Sequence, residues 1–164
     1  MSVMRSVLVG TVAGAVGTAV LNIASYADMA LRGRAPSEMP QKLVKSLASS
    51  AGIAALTADG EAADNRRSAV GALLGYVNGL GIGALYGAIR PSLRGTVPLS
   101  IAGLLAGGAT MALSDIPATK TGATDPKTWG VEGWLADAIP HALFGLALAR
   151  SFEALDTNAD DGRA

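Results

Sequence analysis

The sequence contains no cysteine and little charge. Disulfide bonds, thiolate catalysis and sulfur-ligated metal sites are therefore excluded for this chain of 164 residues. Only 16% of the residues are charged, whereas an ordinary soluble domain carries about 25%. The 13 basic and 13 acidic residues also cancel. This balance provides no basic surface of the kind that binds nucleic acid.

Apolar residues and glycine take the place of charge. Half of the residues are hydrophobic and the mean hydropathy is +0.38, which is typical of an integral membrane protein. We predict an all-α fold, a compact bundle of four transmembrane helices in one domain, 1–152, followed by a disordered acidic tail, 153–164. The apolar segments that predict these helices are about 6–30, 68–89, 96–114 and 132–152.

Glycine recurs at every fourth position of the second segment. Such a run is a poor helix in water, where each interior glycine costs about 1 kcal/mol relative to alanine. In a bilayer, small residues four apart let a neighbouring helix approach to backbone contact. We predict that this ladder packs the bundle together with glycines of the other helices. The packing glycines are Gly71, Gly75, Gly79, Gly83 and Gly87, with Gly10, Gly14, Gly103, Gly107 and Gly145.

The longest connection joins the first two segments. Its residues Val44 and Leu47 follow a helical spacing, with Lys42 and Lys45 on the other side, which predicts a short helix over 40–56. Such a helix lies on the membrane surface or packs on the bundle as an ordered loop, and the sequence leaves both open.

Two tryptophans mark the start of the fourth segment. Trp129 and Trp134 are predicted to anchor this end at the membrane interface. In the second segment, Asn78 is expected to bond across to a neighbouring helix. The side with the longer loops carries more lysine and arginine, which favours a cytoplasmic location for those loops.

Polar residues gather in one half of the predicted bundle. The end of the first helix, the end of the third and the start of the fourth share one leaflet in a four-span topology. Asp137 and His141 are four residues apart and so lie on one face of the fourth helix. Ionisable residues within a span are costly and usually mark a pathway, a proton relay or a ligand site. The candidate polar or ion site consists of Asn22, Ser25, Asp28, Asp115, Asp137 and His141.

Three interpretations of this site stay open. It can bind or pass a proton or small ion, because imidazole titrates near neutral pH. It can hold a metal if Asp28 or Asp115 joins Asp137 and His141 as ligands. It can also cross-link helices, with His141 bonding to Asn22 or to a carbonyl group. The sequence has no serine-histidine-acid arrangement, phosphate loop or dinucleotide fingerprint. We therefore assign no catalytic residue, and the sequence leaves the cofactor unknown.

Four strings of the sequence resemble segments of a known group of proteins. This group consists of small multi-span bacterial inner-membrane proteins of uncharacterised function, broadly the YagU-like proteins. The resemblance implies a multi-pass protein of the bacterial inner membrane and is compatible with a link to acid or envelope stress. It implies no chemical role for any individual residue. The strings are GTAVLNIASYADMALRGRAPSEMP (17–40), GIGALYGAIRP (81–91), SDIPATKTGATDPKTW (114–129) and WLADAIPHALFG (134–145).

These observations support three functional hypotheses. The preferred one is a membrane protein that binds or conducts a proton or small ion at the polar site of one leaflet. The first alternative is a structural or accessory subunit whose glycine-rich face docks another membrane protein or a second copy of the chain. The second alternative is a small membrane metalloprotein. The lipid bilayer is the expected partner in all three.

Overall fold

A computed structural model describes the backbone of residues 2–161 and the side chains of residues 2–156. Within this part of the chain the fold is entirely helical and contains no strand, which confirms the predicted all-α class. A short 3-10 helix, Pro126–Thr128, precedes the last helix. The α-helices are α1 (Val3–Arg32), α2 (Met39–Ala51), α3 (Ala54–Thr57), α4 (Glu61–Leu93), α5 (Leu99–Lys120) and α6 (Gly130–Asp161).

Three helices of the described chain are long and apolar enough to cross a membrane. They are α1, α4 and α5, whose most apolar 18-residue windows have mean hydropathies of 1.9, 1.4 and 1.5. The protein therefore has the composition of a membrane protein. The remaining long helix, α6, spans 32 residues and carries Glu132, Asp137 and His141 in its first half.

Backbone contact through glycine joins α1 to α4. A Cβ atom added to Gly83 would lie within 3.0 Å of backbone atoms of Gly10 and Gly14. One added to Gly87 would meet the carbonyl group of Ser6 just as closely. The two helix backbones thus touch at positions where any side chain would hold them apart, which is the geometry that small residues permit in membrane helices.

The glycines of α4 do not all serve the same contact. Gly79 also faces α1, where an added Cβ would meet the hydroxyl of Thr18. Gly71 instead faces Pro40 at the start of α2. Gly75 has no neighbouring atom within 4 Å of an added Cβ. The glycines of the ladder therefore pack against two different helices, and Gly75 faces open space.

A second glycine contact joins α5 to α6. A Cβ atom added to Gly145 would come within 3.0 Å of the carbonyl oxygen of Gly103, and one added to Gly107 would meet the carbonyl oxygen of His141. This contact fixes the place where α5 and α6 cross. It lies about eight residues before Asp115, or ~12 Å along α5 at 1.5 Å per residue.

The core runs along α6. Phe144, Leu148 and Phe152 are fully buried and follow one face of this helix at a spacing of four. The ring of Phe144 lies against α1, where an added Cβ at Gly17 would be 2.9 Å from it. The middle of the bundle is therefore filled with aromatic and aliphatic side chains.

The predicted helix over 40–56 is divided in two. α2 packs on α4 through Val44 and Ala48, which are buried, so in this structure the segment is an ordered part of the bundle. A buried arginine, Arg67, holds the α3 region by donating from Nη1 to the carbonyl oxygens of Leu56 at 2.9 Å and Ala58 at 3.0 Å. These bonds give the connection between α2 and α4 a fixed course.

The helices extend beyond the segments predicted from hydropathy. α4 begins at Glu61, seven residues before the predicted start at 68, and α5 continues to Lys120. Hydropathy marks the apolar stretch that fits a bilayer, whereas helical hydrogen bonding continues into polar residues outside it. Pro117 does not end α5, because the N–H of Thr121 still reaches its carbonyl oxygen at 3.0 Å.

The predicted acidic tail differs most from the structure. α6 continues from Phe152 to Asp161 without interruption, and residues 162–164 lie outside the described chain. Glu153 accepts from Arg90 Nε at 2.7 Å and pairs with Arg94 at 2.8 Å. Asp156, which is only 1% exposed, also pairs with Arg94. Composition indicated a solvated tail, but the two arginines at the end of α4 hold these carboxylates against the bundle.

Removal of one carboxylate from this ion cluster should destabilise the fold. Glu153→Ala leaves the guanidinium of Arg90, which is 7% exposed, without its carboxylate, so we expect the free energy of unfolding to fall by about 3 kcal/mol. Chemical unfolding in detergent micelles measures this. The control is Glu132→Ala on the same helix, because the Glu132 side chain is 91% exposed and lies 3.8 Å from Arg32. Equal effects of the two substitutions would contradict a structural role for the cluster.

Candidate functional site

Three of the six predicted site residues meet between α5 and α6. Asp115 lies near the end of α5, and its carboxyl group is in hydrogen-bond contact with that of Asp137 near the start of α6. One helical turn further, Nδ1 of His141 lies 3.4 Å from Oδ1 of Asp137. The exposed fractions of the side chains are 23% for Asp137 and 13% for His141. The site is thus largely enclosed by the two helices.

The contact between the two carboxyl groups favours a shared proton. Oδ1 of Asp115 and Oδ2 of Asp137 are enclosed, and neither accepts a hydrogen bond from an N–H or O–H group of the described residues. An ionised carboxylate can only accept, so two ionised groups in contact would repel each other without any compensating bond. A carboxylic acid on one side chain can instead donate to a carboxylate on the other, so a single shared proton removes the repulsion.

The environment of His141 fixes which of its ring nitrogens exchanges protons. Nδ1 lies 2.8 Å from the backbone carbonyl oxygen of Asp137. Because a carbonyl oxygen can only accept, Nδ1 carries a hydrogen and donates it. Nε2 has no hydrogen-bond partner in the described chain and is not among its enclosed atoms. The ring therefore gains and loses its second proton at Nε2.

The three residues that α1 was predicted to contribute are placed differently. Asp28 accepts from Arg32 at 2.6 and 2.8 Å and from Arg34 at 2.9 Å, which secures the end of α1 and leaves neither carboxylate oxygen without a partner. Asn22 and Ser25 are partly exposed on α1. In the described structure neither side chain donates to His141 or to the two carboxyl groups.

The geometry gives no ligand set for a metal ion. Among the described residues, no three histidine, cysteine, aspartate or glutamate side chains are grouped closely enough to hold one. Asp28, one of the two residues proposed to complete such a set, is engaged by two arginines. The cluster of Asp115, Asp137 and His141 therefore offers proton chemistry as its clearest use.

Asn78 links the neighbouring helix to the same region. Its amide nitrogen donates to the carbonyl oxygen of Thr110 at 2.9 Å and to Oγ of Ser114 at 3.0 Å, which confirms the expected bond from α4 to another helix. Ser114 directly precedes Asp115 in α5. One turn of α5 thus contacts α4 through Ser114 on one side and Asp137 of α6 through Asp115 on the other.

A lateral groove of about 500 Å³ lies between α2, α4 and α5. Sequence reasoning did not anticipate it, because it depends on how α2 folds back across α4. Leu74, Val77 and Leu113 are among its lining residues and are 41%, 66% and 57% exposed. Ser114 and Pro117 form part of the wall that α5 provides.

The tryptophans predicted as interfacial anchors lie together at the end of the bundle that also holds the α5 to α6 connection. The ring centroids of Trp129 and Trp134 are 5.0 Å apart, and Nε1 of Trp129 donates to Thr124 Oγ1 at 2.8 Å. Their indole rings therefore fix the connection just before α6 begins. Anchoring at a membrane interface remains a prediction.

Comparison of the chain with protein-family models, curated proteins and solved structures found no match. The resemblance to YagU-like proteins therefore remains an expectation from the sequence. A function has to be argued from the chemistry of the site itself.

Proposed function

We propose that this is a four-span membrane protein that takes up and releases protons at Asp115, Asp137 and His141. The observation that carries the proposal is the contact between the two carboxyl groups, because it needs a shared proton. The accessible Nε2 of His141 provides a second place for a proton beside it. In agreement with the resemblance, we place the protein in the bacterial inner membrane.

The proposal includes α6 as the fourth span. This helix of 32 residues is ~48 Å long at 1.5 Å per residue, which exceeds the ~30 Å of the hydrocarbon core. It packs along α1 and α5, both of which are apolar enough to span. Its polar residues Asp137 and His141 face another helix, which is where ionisable residues of a membrane span are found.

Proton binding is better supported than proton conduction. Beyond His141, α6 presents Phe144, Leu148 and Phe152, all fully buried. The next ionisable groups along α6, Arg150 and Glu153, lie beyond the first two of these residues, and Glu153 belongs to the ion cluster. On the described face of α6, this packed apolar segment separates the two sets of ionisable groups, which favours proton exchange with one side of the membrane.

Infrared difference spectroscopy of the protein in lipid vesicles tests the proposal. We expect a protonated carboxyl band at neutral pH that disappears at alkaline pH, and we expect the double variant Asp115→Asn with Asp137→Asn to lack it. Asp28→Asn is the control and should leave the band unchanged, because Asp28 is ion-paired outside the site. A band that persists in the double variant would overturn the proposal.

A separate vesicle measurement distinguishes binding from conduction. With an imposed pH gradient and a dye inside the vesicles, we expect the protein to leave the decay of the gradient unchanged. A faster decay that is lost in the variant His141→Ala would instead support conduction through the same site.

The open glycines of α4 favour a second candidate function, docking of another membrane helix. Gly75 and Gly81 have no atom within 4 Å of an added Cβ and lie in the lateral groove, whereas Gly79 and Gly83 are already in contact with α1. Leucine at Gly75 and Gly81 should then break a complex that survives mild detergent. A protein that runs as a monomer before and after these substitutions would count against docking.

A further inference from the structure

α5 is held to α6 at two separate places. The first is the glycine contact, where Gly103 and Gly107 touch the backbone of α6 at Gly145 and His141. The second is the carboxyl contact of Asp115, ~12 Å further along α5. The first contact depends on shape alone, whereas the second depends on a proton. The glycine contact between α5 and α6 therefore persists at every pH, whereas the carboxyl contact depends on the protonation of the site.

The charge of the carboxyl site depends on how many protons it holds. With two protons, one shared by the carboxyl groups and one on Nε2 of His141, the site is neutral. With one proton it carries a single negative charge, and with none it carries two. Because the groups are coupled, these are states of the site and not of single residues.

Among the described residues, no cation from another helix offsets the doubly negative state. The charged groups that act on Asp115 are Asp137 and His141, and those that act on His141 are Asp137 and Asp115. On the α1 side, Arg32 is already paired with Asp28 and lies near Glu132. From α4, the group that reaches this turn of α5 is the uncharged amide of Asn78. The negative charges can be relieved only by distance or by water.

We infer that loss of the last proton from this site swings the end of α5 away from α6 about the glycine contact. The inference rests on the proposed proton binding and adds the motion that it drives. The end of α5 that moves includes Ser114 and Pro117, which line the lateral groove. The width of the groove therefore changes when this end moves. α5 is also attached through the connection 121–129, through its contact with α2, and through the hydrogen bonds from Asn78 of α4 to Thr110 and Ser114. Its contact with α4 is less extensive than its contact with α6, so the interface with α6 is the main one that the charge acts on.

The absence of cysteine makes this motion directly measurable. Spin labels at Thr119→Cys and Leu135→Cys, both exposed positions, report the distance between the end of α5 and the start of α6, near the carboxyl contact. Labels at Leu105→Cys and Leu143→Cys report the same two helices beside the glycine contact and form the matched control. In vesicles shifted from acidic to alkaline pH, we expect the first distance to increase by several ångströms and the second to stay constant.

The double variant Asp115→Asn with Asp137→Asn separates this inference from the proposed function. In the labelled background it should abolish the distance change, because two amides acquire no charge. A carboxyl band that titrates while both distances stay constant would overturn the motion and leave proton binding intact. Absence of a titrating carboxyl band would overturn proton binding and the motion together. Equal changes in both label pairs would also overturn the motion about the glycine contact.

Discussion

Replacing both Asp115 and Asp137 by asparagine is expected to remove most of the pH dependence of stability. Under the proposed function, the two carboxyl groups in contact share a proton in the folded protein, whereas in the unfolded chain carboxyl groups ionise at about pH 4. The folded state then binds more protons than the unfolded state, so the free energy of unfolding falls as the pH rises. The variant has no carboxyl group at the site and should lose this fall.

The size of the effect follows from the repulsion between the two charges. For two unit charges ~4 Å apart at an effective dielectric constant of about 20, the repulsion is about 4 kcal/mol. We expect the wild-type protein to lose a stability of this order between about pH 4, where unfolded carboxyl groups ionise, and alkaline pH, measured by chemical unfolding in micelles. Asp28→Asn is the control, because its partners Arg32 and Arg34 lie outside the site. A wild-type protein whose stability is the same at both pH values would contradict the shared proton.

The sequence predicted the helical class and the meeting of three ionisable residues for sound physical reasons. Hydropathy is a local property, so apolar segments identify spanning helices without any knowledge of their neighbours. A spacing of four puts Asp137 and His141 on one face of a helix. Antiparallel connection of α5 and α6 through a short turn then brings Asp115 to the same level of the bundle.

What the sequence did not predict depends on partners that are far apart in the chain. Glu153 and Asp156 follow a composition typical of a solvated tail, and only the position of Arg90 and Arg94 explains their helical structure. The opposite error concerns Asp28, which was assigned to the polar site by its position in the leaflet. Its spacing of four from Arg32 was a local signal for an ion pair.

Two glycines of α4, Gly81 and Gly83, provide the sharpest test of the fold, because they are only two residues apart and have opposite surroundings. A Cβ atom at Gly83 would overlap backbone atoms of Gly10 and Gly14, which cannot rotate away as a side chain could. A Cβ atom at Gly81 would meet no atom within 4 Å. Alanine at Gly83 and alanine at Gly81 therefore change helix propensity equally but differ in their effect on packing.

Gly83→Ala is expected to lower the free energy of unfolding by about 3 kcal/mol, because α1 and α4 must move apart to accept the methyl group. Gly81→Ala should be neutral or stabilise the protein by up to about 1 kcal/mol, since alanine favours the helix over glycine. Chemical unfolding of both variants in the same detergent measures the difference. If the two alanines had equal effects, the close contact of α1 with α4 would be wrong, and with it the packing that sets α6 and its carboxyl site in place.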